Sequence, residues 1–218
     1  MQSASKWAFL TTITAVAAAF FAAKITTDTG IMSLTPPPTD ALPNPAPDVS
    51  DPIVLHQAAF TAWAAVALAI PAFVAFPLRG LFDTAARIWL PFWTGAYAAF
   101  LVHMLWSMGV FFGWDFDWMR NTSRVSAFWP GILVLFWWPL DIWLAWRGKS
   151  GNMVTAQRMV LTFVLFVLFV GGSAVMGELT LIRLMGFGLA VAMVISLILR
   201  AIHMRNSDRT VGTNTGAS

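Results

Sequence analysis

Two ionisable residues, His103 and Asp141, sit inside long apolar runs. Charge is expensive in hydrocarbon, so residues of this kind are the first candidates for function. An imidazole changes charge near neutral pH and can carry a proton or ligate a metal, and a carboxylate can exchange a proton or hold a cation. If the chain brings the two together, they could form a proton or cation relay. His103 falls about 13–14 Å from one end of its apolar segment, and Asp141 lies about five residues from the opposite membrane face. The implied difference in depth is roughly 7–8 Å at 1.5 Å per residue, which needs an intervening water or a helix kink. The plainer expectations are a neutral imidazole bonded to a neighbouring helix, and an aspartate reaching Arg147, Trp143 or headgroup water.

His103 follows Ala99 by one helical turn, and a small residue there leaves room for a flat macrocycle ligated by the imidazole. Haem and chlorophyll-type pigments are held this way, with Trp106 as an aromatic wall. The pattern is short and arises often by chance. Trp93, Trp137 and Trp138 are also deep enough to pack against a pigment, a quinone or lipid.

A second group gathers near segment ends: His56, Asp51, Asp115, Asp117 and Glu178. A histidine with carboxylates can bind zinc, copper or manganese, and such a centre would make the chain a membrane enzyme. The linear spacing matches no metal motif, and a solvated acidic rim is the simpler reading.

Other chemistries are excluded by counting. There is no cysteine, which removes disulfides, thiolate metal sites and iron–sulfur clusters. A retinal Schiff base needs a lysine within the last helix, yet Lys6, Lys24 and Lys149 all lie outside apolar segments. With His56, His103 and His203 as the complete set of histidines, two bis-histidine haems and histidine-rich di-iron chemistry fail. Gly171-Gly172-Ser173-Ala174 resembles a serine nucleophile loop, but the late His203 belongs at the opposite membrane face, so no dyad forms.

The elements that must position these residues follow from composition. Of 218 residues, 58 % are hydrophobic and 11 % charged, against about a quarter charged in soluble domains. A soluble fold cannot hide that much apolar surface, so the solvent for most of the chain is lipid. In lipid, unpaired backbone is so costly that only helices and closed barrels span, and long uninterrupted apolar runs exclude the barrel. Spans of about 20 residues are expected at 7–23, 54–78, 88–112, 127–146, 154–176 and 181–202. The expectation is therefore an all-α membrane bundle of about six helices forming a single domain over residues 1–205. A Pro-rich polar loop over 26–52 joins the first two helices, and a flexible tail covers 206–218.

Orientation follows from basic residues near segment ends. With the N-terminus inside, Lys6, Arg79, Arg87, Arg147, Lys149, Arg158, Arg200, Arg205 and Arg209 are cytoplasmic. Lys24, Arg120, Arg124 and Arg183 are then external. This asymmetry requires an even number of spans, which puts both termini in the cytoplasm; the compactness of the chain and the strength of the bias suggest a bacterial inner membrane. Trp7, Trp89, Trp143 and Trp146 fall at the cytoplasmic interface and Trp114, Trp118 and Trp129 at the external one, as amphipathic indoles prefer. Gly95, Ala96 and Ala99 in the third segment, Gly172, Ser173 and Gly177 in the fifth, and Gly186 and Gly188 in the sixth offer small-residue contact faces. They suggest that the third and fifth segments are interior.

The net charge of +3 is small and dispersed, so nucleic acid is not an expected partner. The bilayer and other membrane subunits are. Few deep polar groups, many aromatic faces and one deep histidine together suggest a subunit that anchors or scaffolds a larger membrane complex, one that handles electrons, quinone or pigment. The relay transporter or channel and the outer-face metal enzyme are the alternatives.

Overall fold

The computed structural model describes residues 2–34, 51–121, 128–172 and 180–214. Seven α-helices account for nearly all of them, and among the described residues there is no strand. In chain order they are α1 (Gln2–Thr29), α2 (Pro52–Leu78), α3 (Asp83–Leu105), α4 (Phe116–Asn121), α5 (Phe128–Trp146), α6 (Asn152–Val170) and α7 (Thr180–Asn214). All but the short α4 are long and apolar enough to cross a membrane, giving six candidate spans. The physical reason is the one that governs any spanning chain: a helix satisfies its own backbone where water cannot.

Several boundaries differ from the expected ones. α1 continues through Thr29 although a polar loop is expected from Thr26. The hydroxyls of Thr26, Thr27 and Thr29 donate back to the carbonyls of Ala22, Ala23 and Ile25 at 2.6–2.8 Å, and Lys24 pairs with Asp28 at 3.0 Å on the same face. These residues therefore satisfy themselves within the helix instead of leaving it. The rest of the expected Pro-rich loop, residues 35–50, lies outside the described residues. α7 runs to Asn214, so the segment expected as a flexible tail from 206 is helical over most of its length.

The interior is built around α2. Ala58, Ala64, Ala65, Ala69, Ala72 and Ala75 are all buried on it, and they let neighbouring backbones approach closely. α3 packs beside it, with Gly95, Ala96 and Ala99 buried. A Cβ added at Gly95 would collide with Thr12 Oγ1 of α1, so α1 meets α3 at this glycine. The fifth span, expected to be interior from its glycines, turns only one face inward, through Arg158, Leu161, Thr162, Leu165 and Phe169. Of the small residues behind that expectation, Gly172 faces open space, and Ser173 and Gly177 lie outside the described residues.

Between these helices lies an aromatic core. Trp138 of α5 is fully buried, with Trp93 at 4.9 Å, Tyr97 at 5.5 Å and Phe100 at 5.7 Å between ring centroids. Phe73 of α2 meets Trp93 at 5.7 Å and Phe169 at 6.1 Å, edge to face. Offset and edge-on rings pair the positive rim of one with the negative face of another. A proline is tolerated in this region because its consequence is absorbed. Pro139 cannot donate to the Leu135 carbonyl one turn back, and the Tyr97 hydroxyl donates to that oxygen instead, at 3.2 Å.

A second cluster closes the other end of the bundle: Leu34, Leu55, Met108, Phe111, Phe112, Trp118 and Met119. It covers the point where α3 loosens into a π-helical stretch, Trp106–Phe111, before turning through Gly113 and Trp114, both at positive φ. Trp118, expected at the lipid interface, is buried here.

Candidate functional site

Asp141 is enclosed completely, with 0 % exposure. Its carboxylate accepts three hydrogen bonds: Trp93 Nε1–H to Oδ2 at 3.1 Å, Gln157 Nε2–H to Oδ1 at 2.7 Å, and Arg158 Nε–H to Oδ1 at 2.8 Å. The last is also a buried ion pair, its side chains 10 % and 0 % exposed. Gln157 is oriented from behind, since its Oε1 accepts from Trp137 Nε1 at 2.7 Å. The network thus reaches from α3 through α5 to α6.

These partners replace the expected ones. Arg147 does not reach Asp141; its guanidinium lies over the Trp143 ring at 5.4 Å. Arg158, read from the sequence as a surface cation, is instead inside the bundle at 8 % exposure. The signal that finds it is hairpin register. α5 and α6 are joined by a short turn; Asp141 lies five residues before that turn and Arg158 six residues into α6, at matching depth on facing helices. A carboxylate at this depth requires a cation, and the hairpin places one opposite it.

The arginine has more charge around it than Asp141 supplies. Arg79, immediately past the end of α2, rests on Phe76 at 3.9 Å and on Trp89 at 5.1 Å, and Arg158 approaches the same Trp89 ring at 5.4 Å. Arg200 of α7 donates from Nη1 to the Pro77 carbonyl at 3.2 Å. Arg79 is accordingly held below the usual guanidinium pKa, first by burial and then by the charges of Arg158 and Arg200, with Asp141 pulling the other way.

His103 stands apart from this network. It lies ten residues beyond Trp93 on α3, about 15 Å along the axis, so the structure does not bring His103 and Asp141 together. Its Nδ1 faces the Ala58 carbonyl of α2 at 2.9 Å, with the Ser107 hydroxyl 3.3 Å away. The site next to Ala99 is filled by protein, because Ala99 is fully enclosed. Trp106 packs edge-on against Phe20 of α1 at 4.9 Å. The deep indoles Trp93 and Trp138 are likewise packed into the aromatic core.

The residues proposed from sequence as metal ligands are scattered among local tasks. Each ring nitrogen of His56 faces a backbone carbonyl, Nδ1 that of Pro52 at 2.6 Å and Nε2 that of Met32 at 3.1 Å, so neither is turned to a common ion. Asp51 caps α2 by accepting from the Ile53 amide at 3.0 Å, and Asp115 caps α4 by accepting from the Trp118 amide at 2.8 Å. Asp117 pairs with Arg120 at 3.3 Å on the surface. Glu178 lies outside the described residues. Among the described residues, no group of three or more histidines and carboxylates is placed to hold a metal.

Replacing Trp93 by phenylalanine keeps the ring contact with Trp138 and removes the donor to Asp141 Oδ2. The expected loss is about 1–3 kcal/mol of unfolding free energy, the cost of a buried acceptor left without its partner, read by denaturation in bicelles. An unchanged unfolding curve would mean that the indole N–H does no work in the network. No family model, curated protein or solved structure matches this chain.

Proposed function

We propose that the chain is a non-catalytic helical subunit that anchors a larger assembly in a bacterial inner membrane, with both termini in the cytoplasm. The observation that carries this reading is the saturation of Asp141. A relay group must exchange partners as a proton or ion passes, whereas this carboxylate is fixed by three donors on two helices and is sealed from solvent. The second relay candidate, His103, is separated from it by about 15 Å of helix. What remains is a strut that fixes the mutual position of α3, α5 and α6.

The outward faces fit the same role. On α5, Trp129, Leu133, Phe136, Leu140 and Trp143 are exposed at alternating spacings of four and three residues, making a continuous apolar ridge with large side chains. Such a ridge is at home against acyl chains or a neighbouring spanning helix. The orientation is supported by Arg79 and Arg147, which lie just past α2 and α5, by Arg200, near the end of the apolar part of α7 (Ile182–Asn206), and by the excess of basic residues on that side.

One experiment separates this reading from the transporter, and a second tests the orientation. In liposomes under a pH gradient, the wild type and His103→Ala should give the same flux as empty vesicles, and both should co-purify with the same partner chains from native membranes. Flux that depends on His103, with assembly intact, would replace the anchor with a transporter. Topology is tested by single cysteines, which have no background in this cysteine-free chain. Gly80→Cys and Lys149→Cys should be shielded from an impermeant thiol reagent in intact spheroplasts, while Ile31→Cys and Asp117→Cys should react; the reverse pattern inverts the orientation.

A further inference from the structure

Arg79, Arg158 and Arg200 come from three separate elements and converge where the end of α2, the start of α3 and of α6, and the later part of α7 meet. Arg79 and Arg158 share the Trp89 ring at 5.1 and 5.4 Å, and Arg200 is tied to the Pro77 carbonyl two residues before Arg79. Among the described residues, Asp141 is the carboxylate paired with this cluster, and its oxygens already accept from Trp93, Gln157 and Arg158.

Two guanidinium nitrogens in the cluster, Nη1 of Arg79 and Nη2 of Arg158, are fully enclosed and have no acceptor in the protein. Arg158 as a whole is only 8 % exposed, so its side chain does not relax into water, and Arg79 is half-buried with its Nη1 on the enclosed side. Like charges gathered at low dielectric repel, and an enclosed guanidinium N–H without an acceptor is costly. An arrangement with excess cation and spare forked donors is completed by a group with several anionic oxygens. Guanidinium forks match phosphate oxygens two at a time, and basic pockets between spanning helices on the cytoplasmic side receive lipid phosphates. The Trp89 and Phe76 rings supply an apolar wall of the sort that lines the headgroup boundary.

We propose that the Arg79, Arg158 and Arg200 cluster is a binding site for a phosphate-type oxyanion, which takes the free donors of Arg79 and Arg158 and has Arg200 at its edge. The site stands independently of the anchoring role. An anionic lipid headgroup and inorganic phosphate carry the same recognised oxygens, and experiment separates the two sources.

The test uses the full chain in detergent, with native mass spectrometry and thermal melting in the presence of phosphatidylglycerol, phosphatidylcholine or inorganic phosphate. Arg79→Gln and Arg200→Gln are the informative variants, because Arg158 also holds Asp141. The expected result is binding and stabilisation by phosphatidylglycerol above phosphatidylcholine, weakened roughly tenfold in Arg79→Gln as charged hydrogen bonds are lost and less in Arg200→Gln. Stabilisation by inorganic phosphate alone, with the same sensitivity to Arg79→Gln, would support the oxyanion site and name free phosphate as its source. The proposal is overturned if none of the three stabilises the wild type, or if both variants bind as the wild type does. Should Arg79→Gln fail to fold, Arg200→Gln decides, an unchanged affinity counting against the site.

Discussion

A carboxylate buried among apolar helices is the constraint to which the rest of this structure answers. Desolvating Asp141 is so unfavourable that its surroundings must supply donors from every available side. They do: an indole from α3, an amide and a guanidinium from α6. Each donor is itself part of the packing. Trp93 carries the aromatic core on its ring while its N–H reaches the carboxylate, and Gln157 is held by Trp137 on the same helix as Asp141. Removing any one member leaves a buried polar group uncompensated, so the network sets the register of the α5–α6 hairpin as well as its stability.

The aromatic and small-residue layers extend outward from that point. Alanines on α2 and α3 bring the backbones close, and the space they leave is filled by Trp138, Phe73, Phe100 and Phe169. At one end the hydrophobic cluster around Phe111, Phe112 and Trp118 seals the bundle, and at the other the arginines gather around Trp89. Enclosed positive charge therefore gathers at one end, where α2 finishes and α3 and α6 begin.

Much of this was legible in the sequence because the bilayer imposes so few solutions. Apolar runs of spanning length announce the six long helices, and Asp141 stands out as an acid within one of them. The parts that were not legible depend on pairing between helices, which a linear reading does not contain. Arg158 reads as a surface cation because basic residues usually flank spans; its partner is visible only once α5 and α6 are folded back on each other. The alanines of α2 carry no mark that sets them apart from other apolar residues, whereas Gly172, Ser173 and Gly177 point to the fifth span, and Gly172 meets nothing. His103 was conspicuous for its chemistry, but its ring is taken up by the Ala58 carbonyl of a helix whose adjacency no spacing rule supplies.

The most direct measurement of the central claim is a double-mutant cycle on Asp141 and Arg158, with unfolding free energies taken in a bilayer-like medium. If the pair is a structural strut, Asp141→Leu and Arg158→Met should each cost about 3–5 kcal/mol by leaving an unpaired buried charge, and the double variant should regain most of that loss. Strictly additive losses, or single variants as stable as the wild type, would contradict the account.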